Sequence, residues 1–405
     1  MRAGDGLGDG GRGREPRRPM REPRREGPRG ASGRRGAGLY LHLPFCASRC
    51  AYCTFTTSTE LALPPRTMTG IVRELERMGT HGGRSLRTLY LGGGTPSLTP
   101  EPQMRAIFAA LRRSFPLLPR AEVTLEANPD DVTAERAAMW AALGINRVSV
   151  GVQAFCNRVL AMLNRRHDAA QAAAAVELLA GAGFAVSLDL MLALPGMTAS
   201  DLDATLAETI RLRPDHVSVY LLEMDKPHAL GRLAVRRPDL FPSSDRAASQ
   251  YLAVGRALVA AGYRHYEVSN FALPGREARH NLRYWRRWPV LAAGVAAHGQ
   301  IGRRRWANLD ELPAYLAAVE AGRAPRAWSR RQTPGEVVKE RVMLGLRLAC
   351  GVEKGVITAA GALAPAFQQR LEDFLDLGLA RAGRGRVRLT PRGWLLSNEL
   401  FAALW

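Results

Sequence analysis

Six apolar segments alternating with helical ones predict an α/β fold, a parallel sheet with helical crossovers that is closed or partly closed as a (β/α)6 TIM-like barrel. Three observations carry that expectation. The alternation itself runs from Leu39 to Leu222. Glycine and polar residues recur where the apolar segments end, the edge that carries chemistry in such barrels. After about residue 225 the rhythm changes, and from 334 onward two helices and a short hairpin outline a winged-helix-like domain.

The first strand is Leu39–Leu43, stopped by Pro44. A helix covers Ile71–Met78, where Ile71, Val72, Leu75 and Met78 recur on one face. The second strand, Leu86–Leu91, runs into Gly92-Gly93-Gly94-Thr95. Then come helix Met104–Leu111, strand Val123–Glu126, helix Ala134–Leu143 and strand Arg147–Gly151. Helix Gln171–Ala182, strand Ala185–Met191, helix Ala199–Leu212 and strand His216–Leu222 complete the alternation. A helix over Asp245–Ala261 precedes the polar, aromatic stretches Tyr266–Phe271 and His280–Trp285. Helices over Gly335–Leu348 and Ala366–Leu377, a strand over Arg386–Thr390 and a helix over Trp394–Leu404 end the chain. The expected division is a tail over 1–37, a barrel core over 38–225, a barrel-completing segment over 226–333 and a C-terminal domain over 334–405.

The tail is Gly, Arg, Pro and Glu with almost no large apolar residue, a composition that cannot bury a core and is expected to be disordered. Asp5, Asp9, Glu15, Glu22 and Glu26, with four prolines, set it apart from an amphipathic transit peptide, and it lacks a secretory apolar region. Met20 is an alternative initiator. No apolar run approaches the roughly 20 residues that span a bilayer. Five cysteines, three of them in one motif, do not make a disulfide framework, so the reducing cytoplasm is the expected compartment. The net charge of +20 comes from arginine far outnumbering lysine in an Ala-, Gly- and Pro-rich chain, which reads as compositional bias rather than as a nucleic-acid surface.

Cys46, Cys50 and Cys53, spaced C-x3-C-x2-C, hang on a loop after the first strand. Three thiolates can hold three irons of a [4Fe–4S] cluster and leave the fourth iron open to a reacting ligand. A zinc site completed by a distant residue, or a trio of unrelated thiols, is the alternative. The glycine run at 92–94 lets the backbone approach a ligand closely. Glu126, Gln153 and Asp189 stand at later strand ends, where a buried carboxylate needs a partner or a polar cavity. Arg165 is a candidate positive partner.

The cysteine spacing, with Tyr52 before the last cysteine, resembles the radical S-adenosylmethionine (SAM) superfamily. Tyr40–Cys46, Gly92–Ser97, Glu126–Asp130, Gly151–Phe155, Asp189 with Leu194-Pro-Gly196, and His280-Asn281-x-x-Tyr284-Trp285 narrow this to the heme-chaperone (HemW) branch. That branch is a relative of HemN, the oxygen-independent coproporphyrinogen III oxidase. The resemblance covers residues from about 38 to 405. It implies that SAM chelates the open iron and that Tyr40, Gly93, Gly94, Thr95, Glu126, Gln153, Arg165 and Asp189 line the SAM site. It also implies heme as cargo, recipient hemoproteins and an electron donor as partners, and His280 as a candidate heme ligand. His280 and Asn281 as a hydrogen-bonded structural turn is the other reading. The oxidase carries a further cysteine two residues after the third, where this chain has Phe55. That difference favours heme handling over oxidative decarboxylation; an enzymatic chain would be an oxidoreductase of the coproporphyrinogen type. A bulky residue at Gly93 or Gly94 is expected to weaken SAM binding and spare the cluster.

Overall fold

The computed structural model describes residues 36–60, 64–80 and 84–405. The expected disorder of the tail lies outside the described residues. Six parallel strands form the centre: β1 (Ala37–Leu43), β2 (Leu86–Gly93), β3 (Leu117–Ala127), β4 (Arg147–Gln153), β5 (Ala185–Leu192) and β6 (His216–Leu221). Their crossovers carry α1 (Pro64–Thr80), α2 (Glu101–Ser114), α3 (Ala134–Leu143), α4 (Asn157–Met162), α5 (Ala169–Gly181) and α6 (Ala199–Leu212). β1 is buried along nearly its whole length, as a strand covered on both faces must be. Local chemistry fixes the helix starts. Thr133 caps α3, and capping boxes open α5 (Asp168 with Gln171) and α6 (Thr198 with Asp201).

After α7 (Ala229–Arg236) and α8 (Ser244–Ala260), the short strands β7 (Arg264–Glu267) and β8 (Asn270–Ala272) add to the β6 flank. The seven-residue α9 (Arg279–Trp285) then leads to β9 (Val290–Ala293), β10 (His298–Ile301) and β11 (Arg304–Asn308). α10 (Leu312–Glu320) and β12 (Arg326–Arg331) follow. β9 lies parallel to β1, so the sheet grows on both flanks to twelve strands in the order β12-β11-β10-β9-β1-β2-β3-β4-β5-β6-β8-β7. Between 226 and 333 the sequence showed only one helix and two polar stretches. The structure places six strands there, none longer than six residues, held by pairing with neighbours rather than by their own apolar content.

The remaining elements are α11 (Pro334–Gly345), β13 (Val352–Glu353), α12 (Lys354–Leu363), α13 (Pro365–Asp376), β14 (Ala380–Gly383), β15 (Arg386–Leu389), α14 (Pro391–Leu395) and α15 (Ser397–Ala402). They enclose a second apolar core around Val342, Leu346, Phe367, Leu371, Trp394 and Phe401. Two polar seams join it to the sheet. Glu340 on α11 accepts from Arg287 at 2.5 Å and Arg305 at 2.7 Å. Beside the second seam, where Val268 N donates to the Arg347 carbonyl, Glu267 is fully buried.

Burial is the main force on Glu267. It pushes the carboxyl up from 4.5 to about 7, against the Ser269 amide, the Asn270 and Trp285 side chains and the more distant Arg347 charge. Tyr220, Tyr251, Tyr266 and Arg347 feel its charge in turn. An acid whose pKa is raised on folding costs nothing while both states are protonated. Stability is therefore lost as pH rises from about 4.5 to 7, by on the order of 3 kcal/mol if the full shift applies. Glu267→Gln is expected to raise the melting midpoint at pH 8 and leave it unchanged near pH 4. The same increment at both pH values contradicts this account.

Candidate functional site

The C-terminal ends of the central strands surround a cavity of about 440 Å³. The cysteine loop forms one wall, and its shape is set by backbone bonding. Ser58 N donates to the Pro44 carbonyl (2.7 Å) and Cys46 N to the Ser58 carbonyl (3.0 Å), closing the loop on itself. Gly94 N donates to the Leu43 carbonyl (2.8 Å) and Thr95 N to that of Phe45 (2.7 Å), fixing it to the end of β2. Ala51 N donates to the Leu163 carbonyl, and Asn164 Nδ2 to that of Arg49, which ties its far side to the segment after α4.

Cys46, Cys50 and Cys53 are all free thiols, part-buried, and all line the cavity. Burial pushes the Cys46 and Cys53 thiols up, and their neighbours' charges add to the rise. Positive charge is what three such thiolates need. Arg165 supplies some: its Nη1 donates to Cys50 Sγ at 3.1 Å, and Thr95 Oγ1 donates to Cys46 Sγ at 3.4 Å. Arg165 Nη2 donates to Asn128 Oδ1 (2.5 Å) and the Gly151 carbonyl (2.7 Å), while its buried Nε has no partner. Among the described residues no three His, Cys, Asp or Glu side chains converge on a point that could hold one metal ion.

Opposite the cysteines stand two carboxylates. Glu126 accepts from Tyr90 Oη (2.7 Å) and Gly93 N (3.1 Å). Burial nevertheless raises it to about 7, and the Asp189 charge adds to that. Asp189 is raised by burial too, although Ser149 Oγ lies 3.2 Å from both of its oxygens. Two buried carboxylates that resist joint ionisation give this part of the cavity a place for a cationic group, while Arg49, Arg165, Arg166 and Lys226 also line it. Gln153 enters the same cavity from a bulge at the end of β4, in the left-handed region at φ 69°.

Cys46, Cys50, Cys53, Gly93, Gly94, Thr95, Glu126, Gln153, Arg165 and Asp189 are thus brought together by the fold. Tyr40 and His280 are not. Tyr40 lies behind the wall, stacked on Tyr90 with ring centroids 6.1 Å apart, and donates to His42 Nδ1 at 3.1 Å. His280, the candidate heme ligand, is 2% exposed, and its surroundings accord with the hydrogen-bonded structural turn. Its Nδ1 shares a hydrogen bond with Thr88 Oγ1 (2.8 Å) and its Nε2 with Tyr284 Oη (3.2 Å), so neither nitrogen is available to iron. Burial lowers its pKa to about 3, which keeps the ring neutral. Glu122 holds the start of α9 by accepting from Arg279 N (2.9 Å) and His280 N (2.7 Å).

The radical SAM superfamily matches residues 40–208, and the HemN C-terminal domain matches residues 332–396. The Mycobacterium tuberculosis protein named heme chaperone HemW is 37% identical over 374 residues, 91% of this chain and 94% of that one. The HemW of Bacillus subtilis is 32% identical over 370 residues, 90% of this chain and 98% of that one. The chain belongs to the HemW family. Its fold is also that of the radical SAM enzyme coproporphyrinogen III oxidase (HemN) of Escherichia coli, with a TM-score of 0.79 over 92% of this chain and 90% of that one, at 23% identity.

Three residues of this HemW-family chain escaped the sequence reading. Tyr90 stacks on His280 (5.2 Å between centroids) and donates to Glu126, so α9 reaches the cavity through one ring. Asn128 links Arg165 to Thr95, accepting from the first and donating to the second. His42 donates through Nε2 to the Thr56 carbonyl (2.9 Å) and packs under Gly93. The signals were faint. Tyr90 precedes the glycine run, Asn128 lies in the Glu126–Asp130 stretch, and His42 is a lone polar residue in an apolar strand.

Proposed function

We propose that this chain is a heme chaperone that carries a [4Fe–4S] cluster and SAM, binds heme and passes it to hemoproteins. The observation that carries the reading is its likeness, at 37% identity over 94% of that protein's length, to a protein named heme chaperone. Phe55, where the oxidase has a further cysteine, favours the same side.

In this reading Cys46, Cys50 and Cys53 hold three irons. Glu126 and Asp189 offer the negative pair for the ammonium of SAM, and the backbone at Gly93, Gly94 and Thr95 meets its methionine end. Arg165 screens the Cys50 thiolate and fixes Asn128. The chemistry such a cluster supplies when bound is one-electron reduction of the sulfonium. An electron donor and recipient hemoproteins are the partners this implies. No helix among the described residues is long and apolar enough to cross a membrane, and we place the protein in the cytoplasm on its cysteine usage.

The test uses one anaerobically reconstituted preparation for two assays. Titrated hemin is expected to saturate at one equivalent with a shifted Soret band, and the loaded protein to hand heme to an apo-hemoprotein. Coproporphyrinogen III with reductant and SAM is expected to remain unconverted. An unshifted Soret band sinks the reading, and protoporphyrinogen formed over many turnovers replaces it with the oxidase.

A further inference from the structure

We infer that heme docks in a second cavity, lined with arginine, that shares no residue with the cysteine cavity. This rests on the chaperone reading and gives the cargo a place. The cavity measures about 480 Å³ and lies between the end of α1, the approach to β2 and strands β9 to β12. Phe115, Leu291, Ile301 and Trp306 give it apolar walls, and Arg77, Arg84, Arg304 and Arg326 stand around them. Among the described residues no carboxylate lines it.

The charge pattern on β11 and β12 is the decisive observation. Two arginine pairs face each other directly across these strands, Arg304 with Arg331 and Arg305 with Arg330. Like charges at directly opposed positions destabilise a sheet unless something balances them. Successive residues point to opposite faces, so the two pairs lie on different sides. On one side the balance is built in: Arg305 meets Glu340 at 2.7 Å and Arg330 meets Glu336 at 2.6 Å. On the cavity side, Arg304 Nε donates only to the neutral Ser329 Oγ at 3.0 Å, and among the described residues neither Arg304, Arg331 nor Arg84 has an ion pair. Arg326 lies with its guanidinium 5.0 Å from the Trp306 ring. Burial lowers its pKa first; Glu74 is the next influence and raises it, and Arg77 and Arg304 lower it further, while its Nη1 donates to Asn308 Oδ1 and Glu74 is itself bonded to Gly294 N, Asn308 and Tyr315.

A slot with apolar walls and a guanidinium rim, in which Arg84 and Arg304 have no ion pair among the described residues, recognises a flat apolar ring bearing carboxylates. Arginine pairs with carboxylate in a two-pronged geometry, and tryptophan offers a face for stacking. Heme, a macrocycle with two propionates, has that chemistry. Met78 on the wall adds a thioether, one of the axial ligands heme iron accepts. A nucleic-acid strand would call for an extended track rather than a closed slot.

The test titrates hemin and metal-free protoporphyrin into the full chain and into Arg84→Glu/Arg304→Glu and Met78→Leu. Both arginines are exposed, and circular dichroism with cluster absorption checks that the double variant is intact. The double variant is expected to bind both porphyrins at least about tenfold more weakly. Met78→Leu is expected to move the Soret band of bound hemin and to leave the metal-free porphyrin affinity alone. Equal binding by the wild type and the double variant overturns this placement while the chaperone reading stands. Failure of the wild type to bind hemin removes both. Short single-stranded RNA retained by the wild type and lost by the double variant, with hemin binding unchanged, assigns the rim to nucleic acid instead.

Discussion

Alanine at any one of Cys46, Cys50 or Cys53 is expected to abolish the thiolate-to-iron absorption of the reconstituted protein, and SAM cleavage with it. A complete loss is expected rather than a partial one because no other thiol is at hand. Of the two remaining cysteines, Cys156 donates its thiol to Asp201 Oδ1 at 3.2 Å, and Cys350 is exposed beside β13. Neither lines the cavity. The substitutions remove one part-buried sulfur each and no backbone bond, so circular dichroism should stay that of the wild type. Iron and sulfide analysis beside the spectrum checks this. A full cluster in any of the three variants contradicts the ligand assignment.

The two glycines at the end of β2 are expected to part company, which corrects the expectation that both spare the cluster. A Cβ on Gly94 would lie 2.6 Å from the Phe45 carbonyl oxygen and 2.8 Å from that of Leu43. Those atoms belong to the backbone that leads into Cys46, so they can yield only by displacing the loop. Gly94→Ala is therefore expected to lose both the cluster and SAM binding. Gly93 has φ 109°, and its Cβ would meet the His42 ring at 2.5 Å. The strain there is on the order of 1–3 kcal/mol, and it falls on a side chain and on the amide that serves Glu126. Gly93→Ala is expected to weaken SAM binding by about tenfold or more while iron content stays near wild type. Equilibrium dialysis with SAM and iron analysis on both variants separate the two outcomes. Equal iron content in Gly93→Ala and Gly94→Ala refutes the distinction.

The central strands were legible because buried apolar residues recur at every second position, as in Leu39, Leu41 and Leu43 and in Val148, Val150 and Val152. β11 and β12 were not, since Arg304-Arg305-Trp306 and Ser329-Arg330-Arg331 carry no such signal. They are strands because β10 and β9 pass the ladder on from β1. The cysteine spacing and the glycine run named most of the cavity because each is local in sequence. The surroundings of Tyr40 and His280 were not legible for the opposite reason. Thr88, which holds the His280 ring, is 192 residues away from it, and nothing in either neighbourhood marks the pair.

The bonds that shape the cysteine loop have a consequence for how the protein matures. Every clamp between Pro44, Ser58, Phe45 and Thr95 runs from amide to carbonyl, and none passes through sulfur. Small zinc domains must capture metal in order to fold. Here the clamps do not run through the thiols, so a chain without its cluster is expected to keep the path of the loop. Loss of the cluster to oxygen is then expected to be reversed by iron and sulfide without an unfolding step.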